Sequence, residues 1–388
     1  MKKIIVAVVA FIIGFFGGYF LLKNLPDNRL TQEILSPLGI KKREIIGFLP
    51  YWLKDRANSD YGKYITTLSY FSLTIDSDGT VKKLTNPQEE DPGWNALNSG
   101  AMDKFFRNAK SDGQTLSLTV FSGNESTIDQ LLDNPVTNAN NLMDAVTPLM
   151  KRYGFTDLNV DVESVIPASD SARENFTTFI KTVKSGLDAE NLGTLTVDVS
   201  PIVLIEKYLI NVKEISPFID NLVLMTYDFH YPGSSVTGPV GQNRGGGVEA
   251  EYDSETAVKE ALKIIPASKI ILGIPLYGYQ WETLGDTPRS AIIPGTGFVA
   301  SAGRVEELLK NCASCSASLD SFGEEPYVIY KNQDTGTYTQ IFYADKNSVS
   351  AKIKLATQYH LGGAALWALG YEGSDTLSPL STYKVSSF

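Results

Sequence analysis

The chain has 388 residues, 43% of them hydrophobic, which is enough for one large domain or two smaller ones. Its formal net charge is −10 at pH 7. This acidic balance argues against nucleic-acid binding, because phosphate contacts need clustered lysine and arginine.

The N-terminal segment differs from the rest of the chain. Residues 4–22 carry no charge and follow Lys2 and Lys3, and at about 1.5 Å per residue they just span a hydrocarbon layer about 30 Å thick. We predict a transmembrane helix that anchors the chain through residues 1–23, with the following domain outside the cytoplasm, because the two lysines favour the inner side. A cleaved signal peptide, and hence a secreted protein, is the alternative. Residues 24–43 are predicted to be a polar linker.

Apolar, β-rich runs then recur along the chain, and amphipathic stretches separate most of them. Such alternation of strand and helix predicts a closed (β/α)₈ barrel, a TIM barrel, over 44–388. An open doubly wound sheet is the structural alternative, but no G-x-G-x-x-G turn follows the first run. The predicted strands lie within 44–52, 66–75, 115–123, 156–164, 194–201, 220–228, 269–278 and 363–370.

A long gap separates the last two predicted strands. We interpret 279–345 as a small α+β insertion on the C-terminal rim of the barrel, with a hairpin turn at 334–337. Cys312 and Cys315 are the only cysteines, and they form either a local disulfide or two free thiols. A zinc site needs about four ligands, and the two histidines are distant in sequence, so we predict no zinc at these cysteines. The sequence as a whole implies no metal and no organic cofactor.

The fourth predicted strand carries an unusual alternation. Asp157, Asn159, Asp161 and Glu163 share one face, while the apolar residues between them share the other. In a barrel the apolar face packs on helices and the polar face points inward. Burying unpaired carboxylates costs several kcal/mol each, so the pattern indicates function rather than packing. An exposed edge strand is the alternative.

Asp161 and Glu163 stand about 7 Å apart along one face of this strand, with Glu163 nearer the C-terminal mouth. Repulsion between like charges, together with partial burial, favours one proton staying on the pair near neutral pH. A protonated carboxyl at the mouth of a barrel is suited to general acid catalysis.

The stretch T-D-L-N-V-D-V-E, residues 156–163, resembles the D-G-x-D-x-D-x-E motif of glycoside hydrolase family 18. Asn159 replaces the inner Asp of that motif, and Asp157 stands where the family usually has Gly. The Asn variant resembles the branch that includes spore-cortex and peptidoglycan hydrolases. The runs GFLPYW, LSYFSLTIDSDG, LMTYDFH, LGIPLYGYQW and GGAALWALGYE match further family motifs in the right order, so the resemblance covers about 45–375.

The resemblance implies substrate-assisted, retaining cleavage of β-1,4 bonds next to N-acetylglucosamine, in peptidoglycan or in chitin. Glu163 would be the general acid and base, Asp161 would orient the acetamido nitrogen, and Tyr227 would donate to the acetamido oxygen. Cell-wall glycan is favoured over chitin. The further sugar-binding candidates are Asn159, Asp228, Trp367, Tyr51, Met225 and Tyr277.

Three expectations follow from this interpretation. Because the amide of Asn159 cannot titrate, we expect an active enzyme whose pH profile is shifted from that of family members with Asp at this position. The partner is a polysaccharide that contains N-acetylglucosamine, and the chain is expected to be a monomer. A carbohydrate-binding barrel without turnover is the alternative function, although the presence of Glu163 disfavours it.

Overall fold

The computed structural model describes residues 43–385, except for 59, 247–251 and 314. The predicted anchor, and the predicted linker up to residue 42, lie outside the described residues. Within the described part, no helix combines the length and the apolar character needed to cross a membrane.

Eight parallel strands close into a barrel in the order β1-β15-β9-β8-β7-β6-β5-β2, with β2 paired back to β1. Each predicted run contains one of them, which confirms the predicted barrel. Over the described residues, the strands are β1 Glu44–Pro50, β2 Thr67–Thr74, β3 Leu84–Asn86, β4 Glu89–Glu90, β5 Thr115–Ser122, β6 Asp157–Val162, β7 Thr194–Val199, β8 Asn221–Leu224, β9 Ile270–Pro275, β10 Tyr277–Thr283, β11 Phe298–Ser301, β12 Ala317–Leu319, β13 Pro326–Lys331, β14 Tyr338–Phe342 and β15 Gly363–Trp367.

Helices surround the barrel, and most of their buried apolar residues belong to one large core between helices and strands. The helices in the same residues are α1 Pro92–Asn98, α2 Asp103–Ser111, α3 Glu125–Asp133, α4 Pro135–Tyr153, α5 Asp170–Ala189, α6 Val212–Ile215, α7 Ser254–Leu262, α8 Ala302–Asn311, α9 Lys346–Gln358 and α10 Ser378–Val385. Helix α4 ends at Gly154, whose φ of 73° suits glycine, and β6 begins three residues later.

Two apolar layers fix the orientation of β6. Leu158, Val160 and Val162 on its outer face belong to the large core between barrel and helices, together with Phe176 and Phe179 of α5. A smaller cluster fills the inside of the barrel and consists of Ile46, Phe48, Phe71, Val223, Ile271 and Ala365. The polar residues of β6 are therefore on the inner face.

A five-stranded antiparallel sheet, in the order β11-β10-β14-β13-β12, lies between β9 and α9 in the chain. Only one residue separates β9 from β10, so this sheet continues from the C-terminal end of the barrel. Strands β13 and β14 form a hairpin with its turn at 332–337, and Cys312 and Cys315 form a disulfide.

Candidate active site

The polar face of β6 runs from the floor of the barrel to its C-terminal mouth. Asp157 is deepest, Asn159 and Asp161 follow, and Glu163 lies one residue beyond the last strand residue. The backbone N–H of Glu163 still donates to the carbonyl of Ser122 on β5 at 2.9 Å, so the strand direction is kept up to this residue. The predicted alternation thus sets four polar side chains at increasing height inside the barrel.

At the floor, the carboxylate of Asp157 accepts three hydroxyl hydrogen bonds. Ser117 donates at 2.6 Å, Thr194 at 2.6 Å and Thr196 at 2.9 Å. These bonds favour the charged form, but burial outweighs them and raises the pKa of Asp157 from its ordinary 3.8 to about 6. Asp157 is therefore a buried group, well below the mouth.

We expect Asp157→Asn to stabilise the protein by about 1–2 kcal/mol at pH 8, and by little at pH 4. A carboxyl whose pKa is raised on folding binds more protons in the native state, so its ionisation costs stability as the pH rises through the window between pH 4 and 6. The Asn side chain removes this cost, but its two N–H groups then need hydrogen-bond acceptors. Urea unfolding of both proteins at the two pH values measures the difference, and an equal effect at pH 4 and pH 8 would contradict the explanation.

In the middle of the barrel, Asn159 contacts a carboxyl of the next strand. Its Nδ2 donates to Oδ1 of Asp198 on β7 at 2.9 Å, and both side chains are buried. Asp161 is only 3% exposed. Burial raises its pKa well above the usual range, and the charges of Asp198 and Glu163 raise it further. Oδ1 of Asp161 and Oδ1 of Asn159 are both buried without a hydrogen-bond donor.

Glu163 stands at the mouth, and its side chain reaches solvent. The surrounding protein still withdraws enough water to raise its pKa, and the charge of Asp228 raises it further. A cavity of about 190 Å³ opens beside it, lined also by Asp198 and Met225 and by aliphatic side chains that include Ile202 and Leu209. Glu163 thus lies beside open space with a pKa above its ordinary value.

The segment after β8 brings two further predicted residues to the mouth. Tyr277 and Tyr279 of β10 donate hydroxyl hydrogen bonds to Oδ1 of Asp228, at 2.5 Å and 2.9 Å. Burial raises the pKa of Asp228, although these two bonds lower it. Burial also raises the pKa of Tyr227 well above its usual range, and the carboxyls around it, Asp198 first, add to the shift. The Tyr227 hydroxyl is therefore a donor at any ordinary pH.

An aromatic group lies across the barrel from β6. The ring of Trp367, at the end of β15, is 4.6 Å from Phe71, 5.8 Å from Phe48 and 6.5 Å from Trp52 between centroids. Trp52 is 48% exposed. Tyr51, the residue predicted to line the site, instead packs half-buried against the core between barrel and helices. The structure therefore brings together all the predicted site residues except Tyr51.

The model of the family described as "Glycosyl hydrolases family 18" matches residues 44–372. The chain belongs to this family. Its relatives include the cortical fragment-lytic enzyme of Bacillus subtilis, 24% identical over 326 residues, which are 81% of this chain and 67% of the relative. Glycosyl hydrolase activity is the function that this membership supports.

Two solved structures have a similar fold. The spore cortex-lytic enzyme SleL of Bacillus megaterium superposes with a TM-score of 0.70 at 20% identity, covering 89% of this chain and 74% of the other. The Group IV chitinase of Ostrinia furnacalis gives a TM-score of 0.74 at 19% identity, covering 89% of this chain and all of the other. The similarity to both kinds of protein leaves the choice of glycan open.

Three charged residues near the site of this family 18 barrel were not predicted. Asp198 has a signal in the sequence, because TLTVDV on β7 shows the same alternation as DLNVDV on β6. Lys352 of α9 and Glu325 have none, since both come from distant segments. Lys352 donates to the carbonyl of Thr226 at 3.0 Å, and Glu325 accepts from the amides of 240 and 241 at 2.7 Å and 2.6 Å. These contacts hold the segment that carries Tyr227 and Asp228.

Among the residues that the structure describes, no cluster of three or more histidine, cysteine, aspartate or glutamate side chains is arranged to hold a metal ion. The carboxyls at the centre of this family 18 site face an amide, a tyrosine and each other. Burial raises their pKa values, and the charges of neighbouring carboxylates raise them further. Retained protons are the physical means by which such a group lowers its charge.

Proposed function

We propose that this family 18 enzyme hydrolyses β-1,4 bonds next to N-acetylglucosamine with the substrate's own acetamido group as nucleophile and Glu163 as general acid and base. The observation that carries the proposal is the pair on β6: a buried Asp161 directly below a Glu163 whose pKa is raised at an open mouth. Tyr227 and Trp367 both pack against the aromatic cluster that includes Tyr277, which supports their proposed contacts with the sugar.

The first step needs a proton and a nucleophile. Glu163 gives its proton to the oxygen of the departing sugar as the glycosidic C–O bond breaks, and the electron pair of that bond stays on this oxygen. The acetamido oxygen bonds to the anomeric carbon and forms a cationic oxazolinium ring. Asp161, as the anion, accepts from the ring N–H and stabilises the positive charge, while Tyr227 donates to the acetamido oxygen.

The second step reverses the proton transfer. Glu163, now a carboxylate, takes a proton from a water molecule, and the resulting hydroxide bonds to the anomeric carbon as the ring opens. Two displacements at one carbon retain the β configuration. Ordinary retaining glycosidases use a second carboxylate about 5 Å from the acid as nucleophile; Asp161 is 3% exposed and is better suited to stabilise charge than to attack a sugar.

The cavity beside Glu163 favours cell-wall glycan over chitin as the substrate. Apart from the polar groups at its edge, its lining is largely aliphatic, and the described residues that form it include no lysine or arginine. Each sugar of chitin carries the same small substituents, whereas alternate sugars of peptidoglycan carry a lactyl ether extended by a peptide. The methyl-bearing lactyl ether beside the cleaved bond suits this lining.

The predicted anchor at residues 4–22 would keep the enzyme at the membrane, with the barrel outside the cytoplasm. Fractionation of cells that express the full chain separates this arrangement from a secreted one: membrane-bound, protease-accessible protein supports the anchor, and a shortened protein in the medium supports a cleaved signal.

The proposed reaction is tested by incubating the full-length chain with peptidoglycan, N-acetylated chitin oligomers and de-N-acetylated oligomers. We expect the fastest cleavage in peptidoglycan, new reducing-end N-acetylglucosamine by mass spectrometry, and β-anomers first by NMR. De-N-acetylated oligomers should resist cleavage by at least about 10²-fold, because they lack the nucleophile. Equal cleavage of both oligomer types would refute the substrate-assisted mechanism, and binding without cleavage would favour the alternative of a sugar-binding barrel.

A further inference from the structure

Asn159 stands where the family motif has an inner carboxyl, and Asp198 is a buried carboxyl on the neighbouring strand. Strands β6 and β7 are parallel neighbours, and their register pairs Asn159 with Thr196 and Val160 with Val197. Continued by one residue, this register sets Asp161 beside Asp198 on the inner face, on strands about 4.8 Å apart. The Asn159 amide bridges the arrangement through its 2.9 Å bond to Oδ1 of Asp198.

The groups that face Asp198 are carboxyls, an amide and a phenol. Asp161 and Glu163 come from β6 and its end, Asp157 lies below, and Tyr227 comes from the segment after β8. Burial raises the pKa of Asp198, and the like charges of Glu163 and Asp157 raise it further. Two adjacent buried carboxylates cannot both remain ionised at low cost, so the pair of Asp161 and Asp198 must hold a proton.

Two buried acceptors support the presence of this proton. Oδ1 of Asp161 and Oδ1 of Asn159 have no donor, and unsatisfied buried acceptors are rare in native proteins. A proton on Asp198 supplies a donor: it can serve Asp161 directly, or serve Asn159 after the amide has turned over. Asn159 can therefore follow either protonation state of its neighbour, although it cannot titrate itself.

We propose that Asp198 is a positioning residue that shares one proton with Asp161 across β6 and β7, so that the proton-holding partner sits on the neighbouring strand instead of at position 159. With the proton on Asp198, Asp161 is free to act as the anion beneath the substrate's acetamido group. The kinetic consequence rests on the proposed function above, whereas the shared proton is a property of the free protein.

Infrared spectroscopy tests the shared proton without any substrate. All variants carry Glu163→Gln, which removes the carboxyl of the general acid, and spectra are recorded at pH 8. We expect a protonated-carboxyl band in this parent and its loss in both Asp198→Asn and Asp161→Asn, because removal of either carboxyl relieves the other of its like-charged neighbour. Asp157→Asn is the matched control, since Asp157, with a pKa of about 6, is ionised at pH 8, and the band should remain.

A band that survives in Asp198→Asn would overturn the proposal, as would a band that is lost only in the Asp157 control. Should Asp198→Asn fail to fold, the double variant Asn159→Asp/Asp198→Asn returns both carboxyls to β6. That protein must show the band if a shared proton is the requirement, and its absence there would count against the proposal.

The pH profile separates this role from a structural one. The acid limb of kcat/KM reports the ionisation of Asp161 in the free enzyme, and a proton on Asp198 favours the Asp161 anion by hydrogen bonding to it. We expect Asp198→Asn to move this limb upward by about one pH unit and to lower kcat by less than about tenfold, with KM little changed. Asn159→Asp/Asp198→Asn should move the limb back.

An unchanged acid limb in Asp198→Asn would show that Asp198 only packs the barrel. If no glycan is cleaved by the unmodified protein, the proposed function fails, but the infrared result still decides whether the two carboxyls share a proton.

Discussion

Glu163→Gln is expected to lower kcat by about 10³-fold or more while the affinity for the glycan changes by less than about threefold. The amide has the shape of the protonated acid but can neither release a proton to the departing oxygen nor accept one from water. Because Glu163 reaches solvent at the mouth, the substitution should leave the fold intact.

Turnover on peptidoglycan or chitin oligomers, together with calorimetric binding of the same glycan, measures both quantities. Glu174→Gln, an exposed change on α5, is the matched control and should behave like the unmodified protein. Residual turnover within tenfold of the parent would assign the acid to another residue, with Asp228 the nearest alternative. The unmodified enzyme should also stay active at pH values above the ordinary pKa range of a glutamic acid, because burial and the charge of Asp228 raise the pKa of Glu163.

Asp161→Asn is expected to lower kcat by about 10²–10³-fold and, at the same time, to make the protein more stable at neutral pH. The catalytic loss follows from removing the anion that stabilises the oxazolinium charge. The stability gain follows from the raised pKa of Asp161: a carboxyl with a raised native pKa loses folding free energy as the pH rises through the range between its unfolded and native values.

Steady-state kinetics and thermal unfolding at pH 5 and pH 8 measure the two effects on one preparation. The stabilisation should be larger at pH 8, because the stability cost of the raised pKa of Asp161 grows as the pH rises above the unfolded value. A variant that is both inactive and less stable at pH 8 would indicate that Asp161 holds the barrel together, and would remove the assignment of a charge-stabilising role.

The barrel and the polar face of β6 could be predicted because each follows from a regular spacing of residues in the sequence. Alternate side chains of a strand point to opposite faces, so Asp157, Asn159, Asp161 and Glu163 had to share a side, and the apolar residues between them set that side inward. The same rule applied to TLTVDV would have brought Asp198 to the site. Its single carboxyl made that strand look like an ordinary buried one.

Other features depend on contacts that no local pattern contains. Trp52 rather than Tyr51 joins the aromatic group around Trp367, because a 3₁₀ turn at Tyr51–Leu53 follows β1 and ends the strand alternation. Glu325 and Lys352 reach the segment after β8 from 85 and 126 residues away. Contacts between residues so far apart in sequence form only when the whole barrel closes. The residue spacing within one helix or strand therefore does not predict them.

The five-stranded sheet bears on any attempt to reduce this enzyme to a minimal scaffold. Its strand β10 provides both phenols that hold Asp228, and Glu325, between β12 and β13, fixes two amides of the loop that follows. Removal of the sheet would leave the barrel strands in place, but the segment after β8 would lose the contacts that hold it. The two parts must therefore be inherited, transplanted or redesigned together, and chimaeras that exchange only the barrel should fold but work poorly.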